Sequence, residues 1–159
     1  MLTAQVLDDT EIRRAAASDA AAVADVWLAS FADALPTVTR AHDDADVRGW
    51  VRDVLVPTTR CWVAVMGGEV VAVLALGPGW IEQLYVEPSH QGAGIGSRLV
   101  ELAQRESGGA LQLWTFQVNV RARAFYRHHG FREVELTDGR ANEEREPDVR
   151  LEWTVADPG

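Results

Sequence analysis

The residues with the clearest chemical potential are Gly92, Gly94 and Gly96, three glycines within the stretch VEPSHQGAGIGSRL, residues 86–99. An apolar run that predicts a strand precedes them, and an amphipathic run that predicts a helix follows. The first N–H groups of a helix are unpaired and lie at the positive end of its dipole, so a pyrophosphate can bind there. Glycine allows both a close approach and a positive φ. The alternative is a turn that only lets the helix pack tightly on a sheet.

Two common phosphate-binding loops do not fit these glycines. A Walker loop requires lysine, and all fifteen basic residues of the chain are arginine. A dinucleotide-binding loop requires G-x-G-x-x-G and an acidic residue at the end of the next strand, which here ends in Trp114, Thr115 and Phe116. The pattern that remains is Q-x-x-G-x-G, read at Gln91, Gly94 and Gly96.

Hydrophobic periodicity predicts the elements that position this loop. Strands are predicted over 11–16, 61–65, 70–76, 80–86, 110–116, 131–136 and 149–155. Helices are predicted from Ser18 or Asp19 to about Ala34, over 42–55 with Pro57 after the end, over 94–106, and from an Asn119 cap to His129. The order βααβββαβαββ is typical of an α/β or α+β fold with a mixed sheet.

Composition restricts the class of protein. A length of 159 residues fits a single domain, 1–159. The net charge of −9 disfavours nucleic acid and anionic membranes as partners. One cysteine, no signal-peptide pattern and no long apolar stretch indicate a cytoplasmic protein. The four histidines show no metal-ligand spacing, so no metal is expected.

Two segments of the chain resemble the GNAT family, the GCN5-related N-acetyltransferases. The first, LYVEPSHQGAGIGSRL, is similar to the family's acetyl-CoA motif, and the second, NVRARAFYRHHGF, is similar to its other signature. The matching residues are Val86, Pro88, Gln91, Gly94, Gly96, Asn119, Ala122, Phe125, Tyr126, Gly130 and Phe131. The resemblance implies a twisted, mostly antiparallel sheet of about seven strands flanked by four helices. Ala72 is a small departure, where many relatives carry glycine.

The resemblance also implies a co-substrate, acetyl-CoA, and the residues that hold it. The pantetheine arm would pair with the backbone of Leu84, Tyr85 and Val86, where the fourth and fifth strands diverge. Asn119 would contact the same arm, and Phe125 would line its thiol end. The pyrophosphate would bind the loop that consists of Gln91, Gly92, Ala93, Gly94, Ile95, Gly96 and Ser97.

Transfer of an acetyl group to an amine poses two proton-transfer problems. A primary alkyl amine, with a pKa near ~10.4, is mostly protonated at pH 7, and only its neutral form attacks. Glu82, on the fourth strand with the alternation of Leu84 and Val86, is the candidate base, acting through a water; the alternative is that it pairs with an arginine or reaches solvent. The resemblance assigns the acid that protonates the thiolate to Tyr126.

The sequence defines the acceptor less closely than it defines the co-substrate. Trp27, Phe31, Trp80 and Trp114 could line its site or belong to the core. The acidic loop, residues 138–148, could cover that site and attract a cation, or be a solvated connection. A small or peptidic amine, with a preference for a cationic one, is expected. A non-catalytic acyl-CoA-binding regulatory domain and an enzyme for longer acyl groups stay open, as does a homodimer.

Overall fold

The computed structural model describes residues 9–156, in which seven strands form one mixed sheet. The strands are β1 (Glu11–Arg14), β2 (Arg60–Met66), β3 (Glu69–Gly77), β4 (Trp80–Val86), β5 (Ala110–Phe116), β6 (Arg132–Leu136) and β7 (Asp148–Thr154). Their order in the sheet is β1-β2-β3-β4-β5-β7-β6, and β4 and β5 are the parallel pair. The predicted fold class is confirmed. The predicted domain, 1–159, includes residues 1–8 and 157–159, which lie outside the described residues.

Four helices cover the two faces of the sheet. They are α1 (Ala20–Ala34), α2 (Asp44–Trp50), α3 (Ile95–Glu106) and α4 (Val120–His128). On one face, Val23 of α1 and Val47 of α2 share a core with Val73. On the other face, Leu99 of α3 packs in a core with Leu74. Consecutive residues of β3 therefore face opposite cores, which explains why this strand is apolar throughout.

The second helix departs from its predicted end. Beyond Trp50 the chain continues through a π-helical turn (Val51–Leu55) and a last helical turn (Val56–Thr58), so Pro57 lies inside the helical segment. In the π turn the N–H of Val56 donates to the carbonyl of Val51. Proline has no N–H, and its ring clashes with the carbonyl four residues earlier in a regular helix. The wider turn accommodates the ring, so the prediction that the helix ends before Pro57 is wrong.

Two irregularities of β4 shape the site. Its register with β5 is limited to Trp80 opposite Gln112, so the two strands diverge toward their carboxyl ends. Against β3, Ile81 faces Leu76 and Gln83 faces Ala75, which leaves Glu82 unpaired in a bulge. Parallel strands that part in this way leave backbone N–H and C=O groups without a ladder partner.

Candidate active site

A cleft of about 720 Å³ opens between the diverging ends of β4 and β5. All the predicted cofactor-binding residues except Ala93 line it, together with Tyr126. The predicted residues in its wall are Leu84, Tyr85, Val86, Gln91, Gly92, Gly94, Ile95, Gly96, Ser97, Asn119 and Phe125. Ser30 and Asp33, which the sequence did not single out, also line it, as do His90 and Arg121.

The glycine loop forms the end of the cleft at the start of α3. Gly92 and Gly94 have φ angles of 82° and 88°, in the left-handed region that glycine adopts without strain. Gly94 is the N-cap of α3, and it has no side chain that could accept a hydrogen bond from the first N–H groups of the helix. The first intrahelical hydrogen bond runs from the Arg98 N–H to the Gly94 carbonyl, 3.1 Å. The preceding amides of α3 are therefore free for an anion, and the helix dipole favours one.

The wall formed by β4 offers backbone groups selectively. The Glu87 N–H donates to the Val71 carbonyl of β3. Backbone N–H and C=O groups of residues two apart in a strand lie on the same edge of that strand. The backbone groups of Tyr85 therefore also face β3. Leu84 and Val86 instead face the cleft. Hydrogen bonds from Ser30 Oγ, 2.9 Å, and Gln91 Nε2, 3.1 Å, already occupy the Val86 carbonyl. Tyr85 therefore contributes its side chain to the cleft, in contrast to the predicted backbone contact.

Asn119 stands at the start of α4, as predicted. Its Oδ1 accepts a hydrogen bond from the Ala122 N–H, 3.1 Å, and caps the helix. The amide nitrogen of Asn119 has no partner within residues 9–156 and lines the cleft. Phe125, about one turn further along α4, packs against Gly96. A Cβ added to Gly96 would be 3.4 Å from the Phe125 ring. Both side chains thus face the interior of the cleft from the same helix.

The two tyrosines of the chain, Tyr85 and Tyr126, meet in this cleft. Tyr126 is 7% exposed, and neither phenol has a hydrogen-bond partner among the described residues. No side-chain oxygen in that part of the chain is both fully buried and unpaired, so both phenols open onto the cleft. Burial, with a smaller effect of Tyr85, raises the pKa of Tyr126 above its ordinary value. Burial, with a smaller effect of the Glu144 charge, raises the pKa of Tyr85 to about 12. Both groups are protonated at neutral pH and can donate.

His129 and Ser97 form a polar pair where α3 meets the end of α4. Ser97 Oγ and His129 Nε2 are 3.0 Å apart, and the Phe125 ring lies 4.8 Å from the imidazole between ring centres. Burial, and to a smaller extent the neighbouring His128, lowers the pKa of His129. The imidazole is therefore neutral at pH 7, so the positive character of this end of the cleft comes from the helix and from Arg121 at its edge.

Glu82 does not have the position that strand alternation predicts for it. The bulge breaks the alternation, so that Ile81 and not Glu82 shares the core with Leu84. Glu82 is exposed and does not line the cleft. Its carboxylate lies against Gly77: a Cβ added to that glycine would be 2.5 Å from Glu82 Oε1. The premises that it is buried and shares a face with Leu84 are wrong. A role as base through water stays a prediction.

The four aromatic residues predicted at the acceptor site do not line the cleft. Trp27 stacks on Phe31, with ring centres 5.2 Å apart, and donates its N–H to Gln83 Oε1, 3.1 Å. Phe31 is 4% exposed and belongs to the core. Trp80 lies at the closed end of the β4–β5 pair, and Trp114 is 43% exposed. Trp27 reaches the site indirectly, through an edge contact with Tyr85 at 5.9 Å between ring centres.

Comparison with known proteins defines the class to which this fold and cleft belong. Residues 57–133 match the acetyltransferase (GNAT) domain. This segment, which holds β2 to β5, the glycine loop and α4, is a GNAT acetyltransferase domain, and the predicted family is confirmed. Comparison with curated protein sequences gives no match.

Solved structures share the fold over nearly the whole chain. Apo YjaB from Escherichia coli aligns with a TM-score of 0.77 at 22% identity, covering 92% of this chain and 99% of that one. The PaiA N-acetyltransferase from Thermoplasma acidophilum, in complex with coenzyme A, aligns with 0.69 at 18% identity, covering 92% and 99%. YncA from Salmonella typhimurium, with its cofactor acetyl-CoA, aligns with 0.66 at 20% identity, covering 94% and 96%.

Between residues 9 and 156, no helix has the length and apolar character needed to cross a membrane. Within the same range, no three or more His, Cys, Asp or Glu side chains are grouped so that they could hold a metal ion.

Proposed function

We propose that this protein is an acetyl-CoA-dependent N-acetyltransferase that acts on a primary amine. The observation that carries the proposal is the cleft between β4 and β5, which combines a free helix N-terminus at one end with the unpaired phenol of Tyr126 further in. The first feature suits a pyrophosphate, and the second suits a developing thiolate. The coenzyme A and acetyl-CoA complexes of PaiA and YncA support the choice of co-substrate.

The residues of the cleft fit such a co-substrate. The free backbone of Leu84 and the amide nitrogen of Asn119 can pair with the amides of a pantetheine arm. Gly92 has open space where a Cβ would be, so a phosphate can approach the backbone of the loop. Arg121 at the edge supplies a positive charge for a further phosphate.

The reaction proceeds by direct attack. The neutral amine nitrogen attacks the thioester carbonyl carbon, a C–N bond forms, and the C–S bond breaks with its electron pair on sulfur. Tyr126 donates its proton to that sulfur, and the proton that the attacking nitrogen loses restores the phenol, so transfer to the neutral amine releases no net proton. Because an alkyl amine is mostly an ammonium ion at pH 7, the deprotonation that precedes attack releases one proton to solvent per acetyl group transferred. Glu82, acting through a water, is the proposed base. Because Glu82 is exposed, its substitution tests this assignment.

A regulatory domain that binds acyl-CoA without turnover is the second candidate. Such a domain has the same cleft, but it gives no chemical role to the phenol of Tyr126, which opens onto that cleft without a hydrogen-bond partner in the described residues. The proposal also includes a single domain, a cytoplasmic location, a small-molecule or peptidic acceptor, no metal, and no nucleic acid or membrane as partner.

Thermal unfolding with acetyl-CoA, combined with release of free CoA over a panel of amines, tests the proposal. Acetyl-CoA at 100 times its Kd should stabilise the fold by about 2.7 kcal/mol. Tyr126→Phe should keep that shift, because the phenol bonds nothing in the protein, and should lower kcat by about 10²-fold or more. Stabilisation with no turnover on any amine would favour the regulatory domain, and no stabilisation would exclude both candidates.

A further inference from the structure

Ser97 brings a hydroxyl group to the anion-binding end of the cleft. It lies in the first turn of α3 and lines the cleft beside the glycine loop. The side chain of Gln91, the other polar one of the loop, already donates to the Val86 carbonyl, 3.1 Å. A serine hydroxyl has a single hydrogen, so Ser97 can donate to a phosphate only if that hydrogen is not used within the protein. The protein partner of Ser97 therefore decides what the residue offers to an anion.

That partner is the imidazole of His129, the residue that follows α4. Ser97 Oγ and His129 Nε2 are 3.0 Å apart, which is the distance of a hydrogen bond. Within residues 9–156, neither the Ser97 hydroxyl nor Nδ1 of His129 has another hydrogen-bond partner. No second contact thus fixes the direction of the hydrogen bond between the two side chains.

The position of the imidazole, in contrast, is fixed. The backbone N–H of His129 donates to the Phe125 carbonyl, 3.2 Å, and its carbonyl accepts from Gln104 Nε2, 2.9 Å. The imidazole lies 4.8 Å from the Phe125 ring between ring centres, and that ring packs against Gly96. Contacts from both α3 and α4 therefore hold the imidazole next to Ser97.

The direction of the Ser97–His129 hydrogen bond decides whether the hydroxyl suits an anion. If Nε2 carries no hydrogen, Ser97 donates to it, and only the lone pairs of Oγ remain for a ligand. If Nε2 carries a hydrogen, it donates to Oγ, and the hydrogen of Ser97 is free for a phosphate oxygen. A neutral imidazole can carry its hydrogen on either nitrogen, whereas a protonated one always carries a hydrogen on Nε2.

The surroundings of the imidazole leave both arrangements accessible. Burial, and to a smaller extent the charge of His128 on α4, lowers the pKa of His129, while Glu101, one turn after Ser97 on α3, has a smaller opposite effect. His128 and Glu101 are both exposed. A pyrophosphate bound at Ser97 would add negative charge beside the ring and raise the pKa of His129 again. The anion thus favours the forms of the imidazole that carry a hydrogen on Nε2.

We propose that His129 is a positioning residue of the acetyl-CoA site, and that it makes the Ser97 hydroxyl a donor to a phosphate oxygen by donating its own Nε2 hydrogen to Oγ. The inference rests on the proposed use of acetyl-CoA and deepens it at the phosphate end of the cleft. His129 itself does not line the cleft, so it acts through Ser97. It follows that acetyl-CoA should bind more tightly at pH 6 than at pH 8. S-acetylpantetheine, which has the thioester but no phosphate, should depend little on the pair.

Four single variants and one double variant test the inference. Ser97→Ala removes the hydroxyl, and His129→Leu removes the donor. His129→Gln keeps an amide N–H near the position of Nε2 but cannot titrate. His128→Gln is the matched control, because it removes the exposed imidazole next in the chain, 5.3 Å away between ring centres. Calorimetry measures the Kd for acetyl-CoA at pH 6, 7 and 8, KM is measured for acetyl-CoA and for S-acetylpantetheine, and circular dichroism checks the fold of each variant.

Ser97→Ala and His129→Leu should each weaken acetyl-CoA binding about tenfold at pH 7, since each removes one hydrogen bond to a charged group. The double variant should be no weaker than either single variant, because both remove the same donor. KM for S-acetylpantetheine should change at least about fivefold less than KM for acetyl-CoA. His129→Gln and His128→Gln should stay within about threefold of the wild type.

The pH dependence gives a second, independent comparison. The loss of affinity from pH 6 to pH 8 should be larger in the wild type than in His129→Gln. The 3′-phosphate of acetyl-CoA and His90 in the wall of the cleft titrate in both proteins, so the difference between the two profiles belongs to His129.

Three results would overturn the inference and leave the proposed acetyltransferase standing. They are a loss in the double variant equal to the product of the two single losses, an equal loss with S-acetylpantetheine, and parallel pH profiles for His129→Gln and the wild type. A wild type that does not bind acetyl-CoA would instead overturn the proposed function, and the inference with it.

Discussion

Both tyrosines of the folded protein should resist ionisation at a pH at which an exposed tyrosine is charged. The perturbation is a jump from pH 8 to pH 11, and tyrosinate is followed by its ultraviolet absorbance. An ordinary tyrosine, with a pKa near ~10, is about 90% ionised at pH 11. Burial and the Glu144 charge raise the pKa of Tyr85 to about 12, so only about 10% of it should ionise. Tyr126, whose pKa burial raises as well, should ionise less than an exposed tyrosine.

Because the chain has two tyrosines, Tyr85→Phe isolates Tyr126, and Tyr126→Phe isolates Tyr85. Glu144→Gln should lower the titration midpoint of Tyr85, and Glu143→Gln should not. A pKa raised in the folded state stabilises the fold below the unfolded value of ~10, and that contribution is lost as the pH rises through the folded value. The absorbance is therefore read soon after the jump, with circular dichroism to show that the fold persists. A midpoint near 10 in the folded protein, equal to that in denaturant, would refute the raised pKa of both phenols.

Five further substitutions, at Gly92, Gly68, Asn119 and Asp19, separate binding from stability. Gly92→Ala should cost about 1–2 kcal/mol of stability and weaken acetyl-CoA binding, whereas Gly68→Ala, at a φ of 80° in a remote hairpin with equally open space, should cost the same and leave binding unchanged in calorimetry. Asn119→Ala should lose about 1 kcal/mol with its cap and also lose affinity, and Asn119→Asp should recover stability in chemical unfolding but not affinity, since it lacks the amide N–H. Asp19, whose pKa is lowered chiefly by its hydrogen bond from Arg13, contributes stability that is lost as the pH falls below about 4; Asp19→Asn should be less stable at pH 7 in thermal melts and lack that acid-dependent loss. Equal calorimetric affinities for Gly92→Ala and Gly68→Ala would contradict the role of the glycine loop in binding. Full affinity in Asn119→Asp would contradict the role of the amide N–H, and parallel acid profiles for Asp19→Asn and the wild type would contradict the contribution of Asp19 to stability.

Local sequence signals sufficed for the elements that carry the site. The strands over 80–86 and 110–116 have the predicted bounds, because alternating apolar residues and flanking glycines define them without reference to distant residues. Asn119 caps α4 as predicted, since a cap depends on the next three residues alone. The glycine loop was recognisable for the same reason.

Features that depend on distant partners could not be predicted in this way. The bulge that excludes Glu82 from the core is set by the register of β4 on β3, which periodicity within one strand does not encode. Ser30 carries the hydroxyl of an amphipathic helix, and its hydrogen bond to the Val86 carbonyl spans 56 residues. The three residues between Asn142 and Glu146 have no period, and their position follows from hydrogen bonds that only the folded loop reveals.

The divergence of β4 and β5 leaves a gap in the sheet at the cleft. Tyr126 belongs to the core on the α3 side of the sheet, and Tyr85 contacts Trp27 on the α1 side, so the gap joins both faces. Under the proposed activity, acetyl-CoA and the amine would approach this gap from opposite faces of the sheet and would not share one entrance. A covalent enzyme intermediate is unnecessary, and Cys61, 2% exposed with a pKa raised to about 11 by burial, offers none. The proposed acetyltransferase should therefore form a ternary complex, with initial-rate lines that intersect, and neither substrate should have to leave before the other binds.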